Sequence, residues 1–166
     1  MFTIMQLLIY PDQRLRTIAN PVIKMTKNIV QICKNMLHLM YTNNGIGLAA
    51  TQVNIHQQLI VIDISENKNK PLVLINPVFL SKEGSISIEE GCLSIPEHKA
   101  FIPRAQKITI RTLTITGHDC VIEATNLLAI CIQHEMDHLQ GKILIDYLSP
   151  INTNQMKKLS KKFLDH

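Results

Sequence analysis

An α+β fold, mainly antiparallel strands wrapped around one central buried helix, follows from three observations. The apolar run Leu127-Leu128-Ala129-Ile130-Cys131-Ile132 leads straight into Gln133 and His134, so as a helix this segment is apolar nearly all round and must be largely buried. Short runs rich in branched residues, Leu59 to Ile64 and Leu72 to Ile75, together with apolar-polar alternation from Lys107 to Ile115, read as strands. Ile29, Ile32, Cys33, Met36, Leu37 and Met40 repeat with the i, i+3, i+4 spacing of an amphipathic helix.

In chain order, Pro11-Asp12 marks an early turn. Thr26 is placed to cap an N-terminal helix running towards Tyr41, which Asn43-Asn44-Gly45 ends. The two short apolar strands follow. Within Lys107 to Ile115, Ile108 and Ile110 fall on one face and Leu113 and Ile115 on the other, which predicts a bulge or twist between the pairs. Val121 to Glu123 makes a return strand after a turn at Gly117. The buried helix then spans about Asn126 to Gln140, with Gly141 placed to end it. Asn154 to Leu164 is expected to form a final exposed helix.

The 166 residues, 46% hydrophobic, suffice for one compact domain over 1–166, with residues 150–166 as a helical tail. No internal repeat, low-complexity segment or interdomain linker is evident. The net charge of +4 is mild, and Lys157, Lys158, Lys161 and Lys162 carry most of the local excess; a solvated helix face is favoured over a nucleic-acid contact. Met1 to Tyr10 is apolar but short, with no basic leader or small-residue cleavage pattern, which argues against a signal peptide or a membrane span. Four cysteines without paired spacing give no disulfide framework and fit a reducing compartment, so a cytoplasmic location is expected.

The buried helix carries the pattern richest in chemistry, His134-Glu135-Met136-Asp137-His138. Two histidines four residues apart share a helix face and can grip one metal ion, and the intervening glutamate can act there as general base or acid. H-E-x-x-H also arises by chance, with its histidines solvated or packed. Burial shifts the balance, because two imidazoles and a carboxylate in an apolar helix are costly without partners, and metal coordination supplies them.

A catalytic site takes three protein ligands, so a cysteine, histidine or carboxylate elsewhere must supply one more. Cys33 lies on the apolar stripe and reads as core; Cys120 sits near a Gly117-His118-Asp119 turn and reads as inert. Cys131, one turn before His134, faces the same side and could line the site. Cys92 is embedded in Glu90-Gly91-Cys92-Leu93-Ser94, where the glycine allows close backbone approach, and by context it leads as the ligand over a buried structural cysteine. Gly45 and Gly47 lack the third glycine and later acidic residue of a dinucleotide fingerprint, so no nucleotide cofactor is expected. Read alone, these glycines mark a turn and Gln52 is an exposed loop amide; Gly45 to Leu48 could also pair with an extended peptide.

Taken together, Gly45-Ile46-Gly47-Leu48-Ala49-Ala50 followed by Gln52, then Glu90-Gly91-Cys92-Leu93-Ser94, then Gln133-His134-Glu135-Met136-Asp137-His138 resemble, in order, the three motifs of bacterial peptide deformylase. The resemblance extends through Pro11-Asp12, Arg14-Leu15-Arg16, Val61-Ile62-Asp63, Leu74-Ile75-Asn76-Pro77, Ile95-Pro96-Glu97 and Asp146-Tyr147-Leu148-Ser149-Pro150, and so covers almost the whole chain. It implies a hydrolase that removes the N-formyl group from the N-terminal methionine of new proteins and releases formate.

It also implies that Cys92, His134 and His138 hold one divalent metal, generally Fe2+ in cells, with Zn2+, Ni2+ or Co2+ able to stand in. Glu135 is then the general base and acid, and the Gln52 side chain and Leu93 backbone N–H are the oxyanion donors. Gly45, Ile46, Gly47, Gly91, Lys99, Leu127, Ile130 and Cys131 would meet the substrate, with Ile46, Leu127, Ile130 and Cys131 shaping a methionine pocket.

Two departures from the bacterial pattern stand out. Lys99 occupies a position where many relatives have arginine, keeping the charge without the planar fork. The C-terminal segment is somewhat shorter than in similar enzymes, where this basic helix is associated with the ribosome; at most a weak ribosome contact is expected, and no membrane partner. Two other classes compete with this reading. An H-E-x-x-H metallopeptidase does not usually combine a cysteine ligand with the glycine segment, and a non-catalytic structural-metal protein calls for a fourth protein ligand that the sequence does not obviously offer.

Overall fold

The computed structural model describes residues 4–148. The first helix, α1 (Lys27–Thr42), starts where the Thr26 hydroxyl accepts a hydrogen bond from the Ile29 N–H at 3.2 Å. It ends as expected at Asn43 and Asn44, the latter at φ 56°, with the Gly45 N–H donating back to the Met40 carbonyl. Then come β1 (Gly47–Ala49), β2 (Leu59–Ile62), β3 (Leu72–Glu83), β4 (Ile86–Cys92), β5 (Ile95–Arg104), β6 (Lys107–Leu113), β7 (Asp119–Thr125) and the second helix, α2 (Asn126–Leu139). The helix expected over Asn154 to Leu164, and the four lysines within and beside it, lie outside the described residues.

Five strands form one antiparallel sheet in the order β1-β2-β3-β6-β7, and β4 pairs with β5 as a separate hairpin. Strand β2 explains why its sequence is apolar at every position. Ile60 and Ile62 pack with Leu74, Ile108 and Ile110 against Ala129 and Ile132 of α2, while Leu59 and Val61 pack with Leu48 and Ile75 against Ile29, Cys33 and Met36 of α1. Helices on both faces therefore demand apolar residues of both parities. Each of these large side chains, buried almost completely, contributes about 1.5–3 kcal/mol relative to exposure. A third cluster joins Ile95, Ala100 and Ile102 of β5 to Leu8, Tyr10, Leu15, Leu144 and Ile145, which docks the hairpin onto segments from the two ends of the described chain.

The bulge expected in Lys107 to Ile115 lies instead on the neighbouring strand. Strand β6 runs against β7 in unbroken register from Lys107–Thr125 to Leu113–Asp119, and the irregularities fall in β3, between Ile75 and Val78 and between Phe79 and Ser81. The first of them contains Asn76-Pro77. Proline has no N–H for the ladder, and Asn76 adopts φ 52° while its side chain clasps the backbone N–H and carbonyl of Val22 at 2.8 Å each. The Thr112 hydroxyl fills the gap, accepting from the Ile75 N–H at 2.9 Å and donating to the Ile75 carbonyl at 3.0 Å. Ile108 and Ile110 face α2 and Leu113 faces α1 by ordinary alternation.

Gly141, which follows α2, has φ +71°, and a Cβ there would stand 2.4 Å from the Arg16 carbonyl oxygen. The Cβ is fixed by the backbone and its neighbour is a backbone carbonyl, so no rotamer change relieves the overlap. We expect Gly141→Ala to destabilise the protein by at least about 2 kcal/mol, since the left-handed conformation alone costs about 1–2 kcal/mol. Urea denaturation checks this; an unchanged midpoint would refute it.

Candidate active site

Helix α2 carries His134 and His138 one turn apart on the side approached by the tip of the β4–β5 hairpin. Cys92 ends β4, Leu93 and Ser94 make the turn, and the pairing register shifts between Gly91 and Cys92. This places the Cys92 Sγ 3.4 Å from the His138 Nε2, which is 3.2 Å from the His134 Nε2; all three atoms lie within 4.8 Å of one another. Ligand bonds of about 2.0–2.3 Å in tetrahedral array set donors about 3.4–3.6 Å apart, so this spacing fits one shared cation. The donor chemistry fits as well, one sulfur and two imidazole nitrogens converging on one point. Among the described residues the cluster has three donors and no fourth, the count of a catalytic rather than a closed structural site.

A polar network fixes the first histidine. The His134 Nδ1 meets the Glu90 Oε1 at 3.0 Å, and Arg104 grips Glu90 through Nε and Nη2, both at 3.0 Å. The Arg104 Nη1 then donates to the Asp137 Oδ2 at 2.6 Å. Burial alone would raise the Glu90 pKa, but the bonds from His134 and Arg104 hold it below the usual carboxylate range. Burial would likewise lower the Arg104 pKa, and its bonds to Glu90 and Asp137 raise it instead. His134 follows the same logic: burial works downward, and bonds to Cys92 and Glu90 bring it well above the ordinary histidine value. His138, buried and facing the charge on His134, is pushed well below it.

The Glu135 Oε2, like the Nδ1 of His138, is buried without a hydrogen-bond partner among the described residues, and burial lifts the Glu135 pKa to about 7. Strand β1 lies against this carboxyl because residue 47 is glycine: a Cβ there would fall 2.6 Å from the Glu135 Oε1 and 2.8 Å from the Cys131 Sγ. At Gly45 a Cβ would stand 2.7 Å from a Leu93 methyl carbon.

The other residues singled out from the sequence divide into three groups. Gly45, Ile46, Gly47, Gly91, Leu93, Lys99, Leu127, Ile130 and Cys131 line a cavity of about 620 Å³ together with Cys92, His134 and Glu135. Lys99 is exposed and pairs across the hairpin with Gly91. Gln52 lies off the cavity wall and is only 1% exposed, which corrects the exposed-loop reading. Its Oε1 accepts from the Ala49 N–H at 2.9 Å, and its Nε2 donates to the Ser94 Oγ at 3.1 Å and the Cys92 Sγ at 3.6 Å. Cys33 and Cys120 stand apart from the cavity, Cys33 on the buried face of α1 with its thiol pushed up to about 11 by burial and Cys120 in β7 opposite Thr112.

Sequence reasoning missed the roles of Glu90, Arg104 and Asp137. Glu90 and Asp137 sit inside the quoted motifs, yet nothing in their spacing tells which cation they meet. Arg104 closes a hairpin that was not foreseen, since β4 mixes serine, glutamate and isoleucine on a half-exposed strand.

The model for the polypeptide deformylase family matches residues 4–154. A peptide deformylase from Hamiltonella defensa is 58% identical over 160 residues, covering 96% of this chain and 94% of that one. The crystal structure of a peptide deformylase from Legionella pneumophila is similar with a TM-score of 0.93 at 38% identity, covering 98% of this chain and 96% of that one. One from Ehrlichia chaffeensis, in complex with actinonin, has a TM-score of 0.91 at 32% identity, covering 97% and 98%. With this site geometry, a family match across nearly the whole described chain and a relative of such identity over nearly its full length, the chain belongs to the polypeptide deformylase family.

Proposed function

We propose that this deformylase hydrolyses the formamide of N-formylmethionyl peptides to formate and a free N-terminal amine, with Cys92, His134 and His138 holding its single divalent cation. The observation that carries this reading is the convergence of the three donor atoms within 4.8 Å beside the buried, unpartnered Glu135 oxygen. The cation, when bound, supplies Lewis-acid chemistry, polarising a carbonyl and bringing the pKa of water from about 15.7 towards about 7.

The chain's own groups divide the remaining work. Glu135, with a pKa lifted to about 7, is able near neutral pH to take a proton from attacking water and return one to the departing amine nitrogen. Gln52 is read as an oxyanion donor because the Ala49 N–H fixes its carbonyl end and its NH2, one N–H of which goes to the Ser94 Oγ, also faces Cys92; Leu93, beside Cys92 at the turn, offers its backbone N–H. Among the described residues strand β1 is an edge strand paired with β2 alone, so a substrate backbone can lie along Gly45 to Gly47 in strand fashion. The methionine side chain then enters the cavity against Ile46, Leu127, Ile130 and Cys131, with Gly91 and Lys99 flanking the peptide.

We assign Fe2+ as the native metal, although a thiolate and two imidazoles also suit Zn2+, Ni2+ or Co2+. We read residues 1–166 as one domain, in line with the family match over 4–154. A cytoplasmic location is supported by four unpaired cysteines. No helix among the described residues is long and apolar enough to cross a membrane. The lysines at 157, 158, 161 and 162 support a weak, salt-sensitive ribosome contact.

Anaerobically prepared, iron-loaded protein should release formate from a formyl-methionyl tripeptide. Release should fall by about a hundredfold or more in Glu135→Ala and in Gln52→Ala, and should vanish after chelation. Full activity in Glu135→Ala would sink the assignment. Aeration should inactivate the iron form, through oxidation at the thiolate or the metal, while a nickel form keeps its activity; equal decay of the two would count against iron as the native metal. Pelleting with ribosomes should show binding that weakens as salt rises, and no co-sedimentation at low salt would dismiss the contact.

A further inference from the structure

The polar network around His134 does not stop at Arg104. The Tyr147 hydroxyl donates to the Asp137 Oδ2 at 2.5 Å, the same oxygen that accepts from Arg104, and the Arg104 guanidinium stands 4.9 Å from the Tyr147 ring centroid. The bonds form one connected set: the Tyr147 O–H donates to Asp137, Arg104 donates to Asp137, to Glu90 and, at 3.4 Å, to the Tyr147 oxygen, and Glu90 accepts from His134. Glu90 and Arg104 side chains are each 5% exposed and Asp137 is 20% exposed, whereas Tyr147 is 43% exposed. A line of five residues thus runs from the surface to a metal ligand.

Each link has a physical consequence for the next. The Glu90 Oε1 is shared between the Arg104 Nη2 and the His134 Nδ1, both at 3.0 Å. The more completely Arg104 is committed to Glu90, the weaker an acceptor that carboxylate is for the imidazole. Asp137 draws off the Arg104 Nη1, and Tyr147 holds the Asp137 oxygen where it can do so. A histidine ligand whose outer nitrogen is held by a carboxylate keeps its tautomer and ring orientation, and loss of such outer partners typically lowers metal affinity about 10–100-fold.

Building on the ligand set read above, we propose that Tyr147 and Asp137 are positioning residues for the metal centre, acting through Arg104 and Glu90 to keep the His134 Nε2 directed at Cys92 and His138. The probe is cobalt, whose binding is followed by its thiolate and ligand-field absorption and quantified by chelator competition, independently of turnover. Tyr147→Phe and Asp137→Asn should each weaken cobalt binding about tenfold. The Glu90→Gln/Asp137→Asn pair should bind no more weakly than Glu90→Gln alone, because both act on one line.

Tyr41→Phe removes a comparable hydroxyl-to-carboxylate bond, to the Asp63 Oδ2 at 2.6 Å, outside this line; it should lower stability and leave cobalt affinity as it was. Cobalt affinity unchanged in Tyr147→Phe, or additive losses in the double variant, would overturn the proposal. Tyr147→Phe keeps its ring over Arg104, so it decides the matter if Asp137→Asn does not fold. One cobalt per chain in the unaltered protein, lost in Cys92→Ala, supports the ligand set itself; an unaltered protein that binds none overturns both readings.

Discussion

The cost of burying charge inside α2 is the constraint on which the rest of the structure depends. His134, Glu135 and His138 are each less than 9% exposed, on a helix whose other buried positions are Ala129, Ile130, Cys131, Ile132, Gln133 and Leu139. Removing one partner from a buried ion pair typically costs about 3–5 kcal/mol, because the other charge is left uncompensated. Most polar groups on this face are met by something the fold brings to them, the Glu135 Oε2 and the His138 Nδ1 excepted. The β4–β5 hairpin does most of that: one strand delivers Glu90 and Cys92, its partner delivers Arg104, and the pairing of Ile86 with Arg104 and of Cys92 with Ile95 fixes where they stand.

The same demand explains why the sheet is covered on both sides. A helix that presents two imidazoles in one direction needs an apolar bed in the other, and β2, β3 and β6 supply it through Ile60, Leu74 and Ile110. That bed is held straight by α1 on the opposite face, where Met36 and Met40 are completely buried. Strand β1 shares this two-sided cover, with Leu48 packed on the α1 side and Ala49 on the α2 side. It is short, lies at the edge and carries a glycine where any side chain would strike Glu135 or Cys131. The proposed chemistry and peptide access meet at that edge, where among the described residues β1 has one strand neighbour and residue 47 carries no Cβ.

What the sequence made legible follows from the range over which each signal acts. α1 was readable in both its ends, since a threonine cap and an Asn-Asn-Gly stop are local; α2 was readable from its unbroken apolar run and Gly141. The H-E-x-x-H pair was readable because four-residue spacing is a property of one helix. The hairpin was not, because β4 and β5 alternate polar and apolar residues only loosely and pack through long-range contacts with Leu8, Tyr10 and Leu144. Gln52 read in isolation suggests an exposed loop amide for a related reason: its burial comes from Ser94 and Cys92, about forty positions away along the chain. The misplaced bulge shows the same limit in another form, since residues 108 to 113 alternate regularly and the irregularity belongs to a proline in the partner strand.

Glu135 shows why burial and cation have to be considered together. A carboxyl beside a divalent ion is drawn towards low pKa by the ion's charge, and one as acidic as an ordinary surface glutamate would be a poor base at neutral pH. Burial acts in the opposite sense and lifts this group to about 7 among protein neighbours that include the opposing charges of His134 and Arg104. The carboxylates of Glu90 and Asp137 add to that lift, yet both are tied to Arg104, so their charge is largely spent on the guanidinium. The network that orients His134 thereby also limits how far neighbouring anions can raise Glu135. Substituting Arg104 with an apolar residue of similar bulk would remove a positive charge that lowers the Glu135 pKa and so shift that carboxyl towards its protonated form, which the pH–rate profile of the metal-loaded variant would show as a base limb displaced upward.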